Sequence, residues 1–274
     1  MINVEILKVC GWEEAIKGMR NAFNSHDRSD SIYIDDVYTI GEKDRELMEK
    51  LNKNGAVHAK FLRMINVYMD ITAPLYWWKE YDTYKVGTVA LSESTMHCIH
   101  KNEFTIDDFS HDHLIESDSF DPMDAAFIKL NNGTEVLVDS MDLLKINIQV
   151  LNYYRQRYLD TKNKIYWWQM IQLLPSSYNQ TRTVMLNYEV LHGMNYFRHS
   201  HKLDEWVEMC KKSIEKLPES QLITNKRIPD KYLEVTPDEK EILELIRNKF
   251  AISDEVKYSD IKDFINSYDG RSYK

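Results

Sequence analysis

The sequence predicts an α+β protein, a small antiparallel sheet surrounded by several long helices. Three observations carry this prediction. Apolar residues recur at helical spacing over several segments, whereas only short stretches alternate with the period of a half-buried strand. The chain has only eight glycines, none in a G-x-G-x-x-G or G-x-x-x-x-G-K pattern. A glycine-cradled phosphate site of the Rossmann or P-loop kind is therefore not expected, because both need glycine for phosphate to approach the backbone.

The elements follow in order. Residues 1–6 alternate like a strand. After Gly11, residues Trp12, Ala15, Ile16, Met19, Ala22 and Phe23 repeat at helical spacing. A second helix carries Leu47, Met48 and Leu51 and stops at Asn54-Gly55, a natural C-cap. Ile65, Val67, Met69 and Ile71 alternate with Asn66, Tyr68 and Asp70, which reads as a strand. Thr72-Ala73-Pro74 offers a cap and a first-turn proline to a helix expected to reach Lys85.

Residues 101–135 are acidic and read as a solvated surface insertion. Asp139-Ser140 caps a long helix striped by Met141, Leu144, Ile148 and Leu151. Further helices are expected over 165–173, 186–197 and 203–214. Pro218 opens a polar linker. Thr236-Pro237-Asp238-Glu239 forms a capping box, and a last helix starts near Ser259. This divides the chain into a main domain, 1–218, and a helical extension, 219–274.

Composition narrows the partners. A net charge of −9 over 274 residues argues against duplex nucleic acid, which needs clustered Lys and Arg, though a local basic pocket for a free nucleotide stays compatible. Three widely spaced cysteines, Cys10, Cys98 and Cys210, fit idle thiols in a reducing cytoplasm. No apolar run reaches the ~18 residues that span a bilayer, so a soluble, cytoplasmic protein is expected. His97, His100, His111 and His113 lack a cysteine companion, and no metal site is expected. The clusters 76–78 and 166–168 read as core aromatics. Tyr81 and Tyr84 are better candidates for stacking on a ligand.

Three stretches in order, over about 45–100 and 138–215, resemble flavin-dependent thymidylate synthases. The family signature is an Arg-His-Arg triplet, seven residues, then a serine. Here Thr83-Tyr84-Lys85 occupies the triplet, with Ser92 after six intervening residues and Ser94 after eight. Leu174-Pro175, Asn187 and Arg198 match later landmarks, and 199–206 resembles a His-Ala-Gln-Trp-Glu stretch. Family arginines fall on Ile171, Glu189 and Met96, and the glutamine before the triplet falls on Glu80.

The resemblance implies a homotetramer binding FAD and a pyrimidine nucleotide such as dUMP, with folate supplying the carbon and NADPH the reductant. It implies that Lys85, Ser94 and Arg198 serve catalysis, and that Glu80, Tyr84, Lys85, Ser92, Ser94 and Arg198 contact the nucleotide. It implies that His58, Asn187, His199 and His201 contact the cofactor. Losing guanidinium forks weakens phosphate binding, since lysine keeps the charge but not the two parallel bonds. Lys60, Lys79, Arg182, Arg198 and Lys202 are the cations that could compensate. Two readings follow: a divergent flavin-dependent nucleotide methylase, or a homologue that binds a nucleotide without flavin chemistry. A helical interaction protein of another family is the third.

Overall fold

The computed structural model describes residues 2–116 and 124–227. Residues through Arg227 form one compact unit, and the second, Ile228–Lys274, lies outside the described residues together with the capping box and last helix expected there.

Strand β1 (Asn3–Cys10) leads through Gly11 into helix α1 (Trp12–Asn21). Gly11 has φ +93°, and a Cβ there would sit 2.1 Å from the Met64 carbonyl oxygen, so this tight corner requires glycine. A hairpin of β2 (Ile32–Ile34) and β3 (Val37–Thr39) precedes α2 (Glu42–Lys53). The carboxylate of Asp44 gathers the intervening loop. It accepts from Arg20 Nε (2.5 Å), Ser29 Oγ (2.6 Å), Ser31 Oγ (2.7 Å) and the amides of Asp30 and Ser31. Burial would raise the pKa of Asp44, but the hydrogen bonds from Ser29, Ser31 and Arg20 outweigh it and lower it.

Strand β4 (Asn66–Pro74) follows the predicted alternation. Val67, Met69, Ile71 and Ala73 are buried on one face. Helix α3 (Leu75–Tyr81), β5 (Val89–Ser92) and the short α4 (Thr95–Cys98) come next. After the hairpin β6 (Ala126–Lys129) and β7 (Glu135–Val138), long α5 (Ser140–Thr161) packs on α6 (Lys164–Leu173). Strand β8 (Asn179–Asn187) runs into α7 (Tyr188–Arg198), then α8 (Asp204–Glu208) and α9 (Gln221–Thr224). The main sheet is antiparallel with order β1-β4-β8-β5. Its inner face carries Val67, Met69, Ile71, Val184 and Leu186. Polar pairs, Thr72 with Thr181 and Asp70 with Thr183, cross its other face.

Several local expectations change. Pro74 closes β4 as the N-cap residue of α3 rather than entering its first turn. The α3 amides of Leu75 and Tyr76 are satisfied by the carbonyls of Tyr178 and Ser176, so Thr72 is not needed as a cap. The helix stops at Tyr81, short of Lys85, where Thr83 and Tyr84 form tight turns back to Glu80 and Tyr81. Segment 101–135 is not all solvated. Phe104 and Phe109 are buried in a second core with Leu144, Leu151 and Met170, and Asn152 bonds both the amide and the carbonyl of Phe104. The linker expected after Pro218 is folded as far as Arg227, with Leu222 and Ile223 buried. Of the expected 203–214 helix, only α8 is α-helical; a π-turn, Met209–Ser213, succeeds it. Among the described residues, no helix is long and apolar enough to cross a membrane.

Candidate functional site

Four of the site residues expected from sequence meet at one place. Helix α3 delivers Glu80, the turn after it delivers Tyr84, the last turn of α7 delivers Arg198, and the following loop delivers His201. Glu80 Oε2 accepts from Trp206 Nε1 (2.9 Å) and forms an ion pair with Arg198 Nη1 (3.0 Å), with His201 Nε2 at 3.5 Å. Arg198 Nε donates to Tyr84 Oη (3.1 Å), and its guanidinium lies over the Tyr84 and Trp206 rings. The Leu203 amide approaches His201 Nδ1 at 3.1 Å. Arg198 Nη1 pairs with His201 Nε2 at 2.8 Å and so bridges that ring nitrogen and the Glu80 carboxylate.

Aromatic packing fixes this cluster from below. Trp77, Trp78, Tyr81 and Trp206 are fully buried, and Trp206 lies 4.5 Å from Trp77 between ring centroids. Tyr81, expected as a stacking residue, is a core residue instead, and burial raises its hydroxyl pKa well above the usual value. On α3 it shares the inward face with Trp77 and Trp78, so it faces the core rather than a ligand. Nearby, Tyr76 Oη donates to the buried Glu205 carboxylate. Burial first, and that contact second, push the Tyr76 hydroxyl up to about 12.

The other expected site residues lie elsewhere. Lys85, Ser92 and Ser94 are exposed on the turn after α3, on β5 and at the start of α4. Asn187 is spent as the N-cap of α7, its side-chain oxygen accepting from the Val190 amide at 3.0 Å. His199 points outward and its Nδ1 donates back to the Asn195 carbonyl (3.0 Å). His58 lines a separate open cleft of about 860 Å³ between α1, α2 and the 57–64 turn. Arg28, Lys43, Lys50 and Lys60 ring that cleft against a single acid, Glu46, over buried Met19 and Phe61, with Phe23, Val57 and Met64 exposed in its lining. Among the described residues, no group of three or more His, Cys, Asp or Glu is placed to hold a metal ion.

Two features escaped the sequence. Trp206 supplies a hydrogen bond to Glu80, a role its aromatic class hides. Glu189, which stands where the family has an arginine, is matched within the chain. Arg227 Nη1 and Nη2 donate to its two oxygens at 2.8 and 2.6 Å, and Arg227 Nε donates to Asn52 Oδ1 at 2.8 Å. Arg182 is engaged too, with Asp82 (2.8 Å), Gln180 (2.9 Å) and the Trp78 ring.

ThyX from Helicobacter pylori, solved with FAD and dUMP, superimposes with a TM-score of 0.54. It is 18% identical, and the match covers 82% of this chain and 97% of that one. The chain has the ThyX fold. PolB from Streptomyces cacaoi, a UMP/dUMP methylase bound with 5-Br dUMP, matches with a TM-score of 0.50 and 16% identity, over 78% of this chain and 88% of its own. No family model and no curated protein matches the sequence. The α+β expectation and the ThyX-like architecture read from the degenerate signature both hold. At these identities the likeness is one of fold, and function has to be argued from the site.

Proposed function

We propose that this ThyX-fold chain binds a pyrimidine nucleotide at the Glu80–Tyr84–Arg198–His201 cluster and methylates it, using reduced flavin and a methylene-carrying folate, with NADPH as the reductant. The carrying observation is that cluster: four polar side chains from two distant chain segments, 80–84 and 198–201, set on buried tryptophans and facing solvent at one edge. Convergent polar groups on a rigid apolar base are the usual make-up of a small-molecule site.

The cationic cleft around His58 fits FAD by its donor set. Arg28, Lys43, Lys50 and Lys60 suit the pyrophosphate by charge, and Phe23 with the His58 ring offers surface for a flat ring system. Bound there, reduced flavin would supply the hydride equivalent. Glu80 and Arg198 would orient the nucleotide, while Lys85, Ser92 and Ser94 are the candidates for its phosphate. The cleft shares no lining residue with the Glu80 cluster. A homotetramer that sets one subunit's cleft against another's cluster would complete the site. Exposed Leu143 and Ile146 on α5, with Ile165 and Trp168 on α6, supply apolar faces for such contacts.

A specific observation favours the second reading, a nucleotide-binding protein without turnover. Arg182 and Arg198, the guanidiniums nearest the end of α3, are both committed to internal partners, which weakens phosphate capture. Purification without added cofactor, followed by FAD titration and an assay of dUMP methylation, separates the readings. Flavin absorbance with turnover supports the enzyme. Nucleotide binding with neither flavin uptake nor turnover supports the binder, and binding of neither ligand defeats both.

A further inference from the structure

A cationic surface lies where α5 ends and α6 begins. Residues 153–168 carry Arg155, Arg157, Lys162 and Lys164 against one acid, Asp160, in a chain of net charge −9. Six aromatics are interleaved with them: Tyr153, Tyr154, Tyr158, Tyr166, Trp167 and Trp168. The 166–168 cluster, expected in the core, reaches the surface instead, half-buried at Tyr166 and Trp167 and exposed at Trp168. Tyr153 is 59% exposed.

Contacts join these side chains into one strip. Tyr153 packs edge-on against Tyr154 (5.3 Å between ring centroids), and Tyr154 stacks on Tyr166 (6.3 Å). Tyr153 and Arg157 lie one turn apart on the same face of α5. Arg157 reaches across to α6, lying over the Tyr166 ring (5.1 Å) and donating to its hydroxyl (3.1 Å). Lys164 lies over the Trp167 and Trp168 rings (5.8 and 5.6 Å), and Lys162 over Tyr158 (5.8 Å). Arg155 is spent on the carbonyls of His100 and Lys101. Among the described residues, Arg157, Lys162 and Lys164 form no ion pair with a carboxylate.

Unneutralised cations favour an anion, and an exposed ring beside them favours a flat partner. A chain of phosphates carrying unpaired bases supplies both. A duplex does not, because its bases stack on one another and offer no free face to Tyr153. An anionic lipid surface would meet the charges, but it also takes up exposed aliphatic side chains, of which this stretch offers one, Ile165. We propose that this corner binds single-stranded nucleic acid, a base stacking on Tyr153 and phosphates meeting Arg157, Lys162 and Lys164. It shares no residue with the Glu80 cluster or the His58 cleft.

Fluorescence anisotropy tests this on the full-length protein, with labelled oligouridylate and oligothymidylate of about 12 nucleotides. Both should bind, with a log–log salt slope of about −0.7 per phosphate neutralised. The matching duplexes should bind about 10-fold more weakly, the worth of one stacked base. Tyr153→Ala and Arg157→Glu, both at exposed positions, should each weaken single-strand binding by about 10-fold. Their sedimentation should match the wild type. Single-strand binding that is absent, or no tighter than duplex binding, would overturn the proposal. So would affinity unchanged in both variants, which would place the strand elsewhere. A variant that loses binding together with its oligomeric state would make the corner a contact between copies, and phosphatidylserine vesicles binding where the strands do not would make it a membrane face; either overturns the proposal. All these outcomes leave the nucleotide reading standing, and the comparison of strand with duplex holds even if a variant does not fold.

Discussion

Helix α7 carries a carboxylate–guanidinium pair at each end, in opposite conditions. At its N-terminal turn, Glu189 meets Arg227 through two parallel bonds, and the third Arg227 donor is taken by Asn52. These side chains are 20% and 10% exposed. At its C-terminal turn, Arg198 meets Glu80 through one oxygen, with exposures of 19% and 36%. The first pair uses both carboxylate oxygens and clamps the 217–227 segment onto α2 and α7. The second leaves an oxygen facing out. A closed pair holds chain segments together, whereas an open pair keeps polar surface toward solvent, and one helix displays both.

The closed end should be costly to break. Arg227→Met leaves the Glu189 carboxylate partly buried without its cation, and should lower unfolding free energy by about 3 kcal/mol in urea titrations. Adding Glu189→Met should restore most of that loss, because two apolar groups replace a stranded charge. If the single variant unfolds like the wild type, the clamp is not structural. A smaller effect is expected where this end touches the Lys85 loop. Gly87 has φ +74°, and a Cβ there would lie 2.8 Å from Asn187 Nδ2. Gly87→Ala should thus cost about 1–2 kcal/mol through the α7 cap, and an unshifted melting curve would argue that the loop moves freely.

At the open end, stability should change little. Tyr84→Phe removes the acceptor of Arg198 Nε and should cost about 1 kcal/mol or less. By freeing one guanidinium donor it should tighten binding of inorganic phosphate, measurable by calorimetry. A large loss of stability would mean that this end, too, is structural.

The smallest effect concerns pH. His192, beside the closed pair, has its pKa lowered mainly by burial and secondarily by Arg227, against an opposing contribution from Glu189. As pH falls below the ordinary histidine value of about 6.5, the unfolded chain takes up the proton first. This group's stabilisation is therefore full above that pH and is lost as pH falls toward the folded value. The urea midpoint should drop modestly between pH 7.5 and 5.5, and His192→Gln should flatten that dependence. A midpoint that rises on acidification would contradict the burial of His192.

Much of the fold was legible because its signals are local. Helices α1, α2, α5 and α6 and the inner face of β4 follow from spacing, and the cap at Asp139 is used as its side chain suggests. Strand β8 was not legible. Its first half, Asn179 to Thr183, is polar because it pairs through Thr181 and Thr183 on the outer face, so it lacks the apolar alternation of a central strand. Of the site, Glu80, Tyr84, Arg198 and His201 could be named through the resemblance, but not their mutual pairing. Nothing in the order of residues tells that His201 turns inward while His199 turns out.

Local periodicity and landmark spacing were enough to determine the α+β class, the ThyX-like order of elements and the loss of arginines from the signature. Only tertiary structure decided where the remaining charges go. Arg227 meets Glu189 across 38 positions and Arg198 meets Glu80 across 118, and no local pattern records such encounters. The reason is energetic. A buried charge takes whichever partner the packed chain brings within reach, and that geometry exists only after the helices have docked.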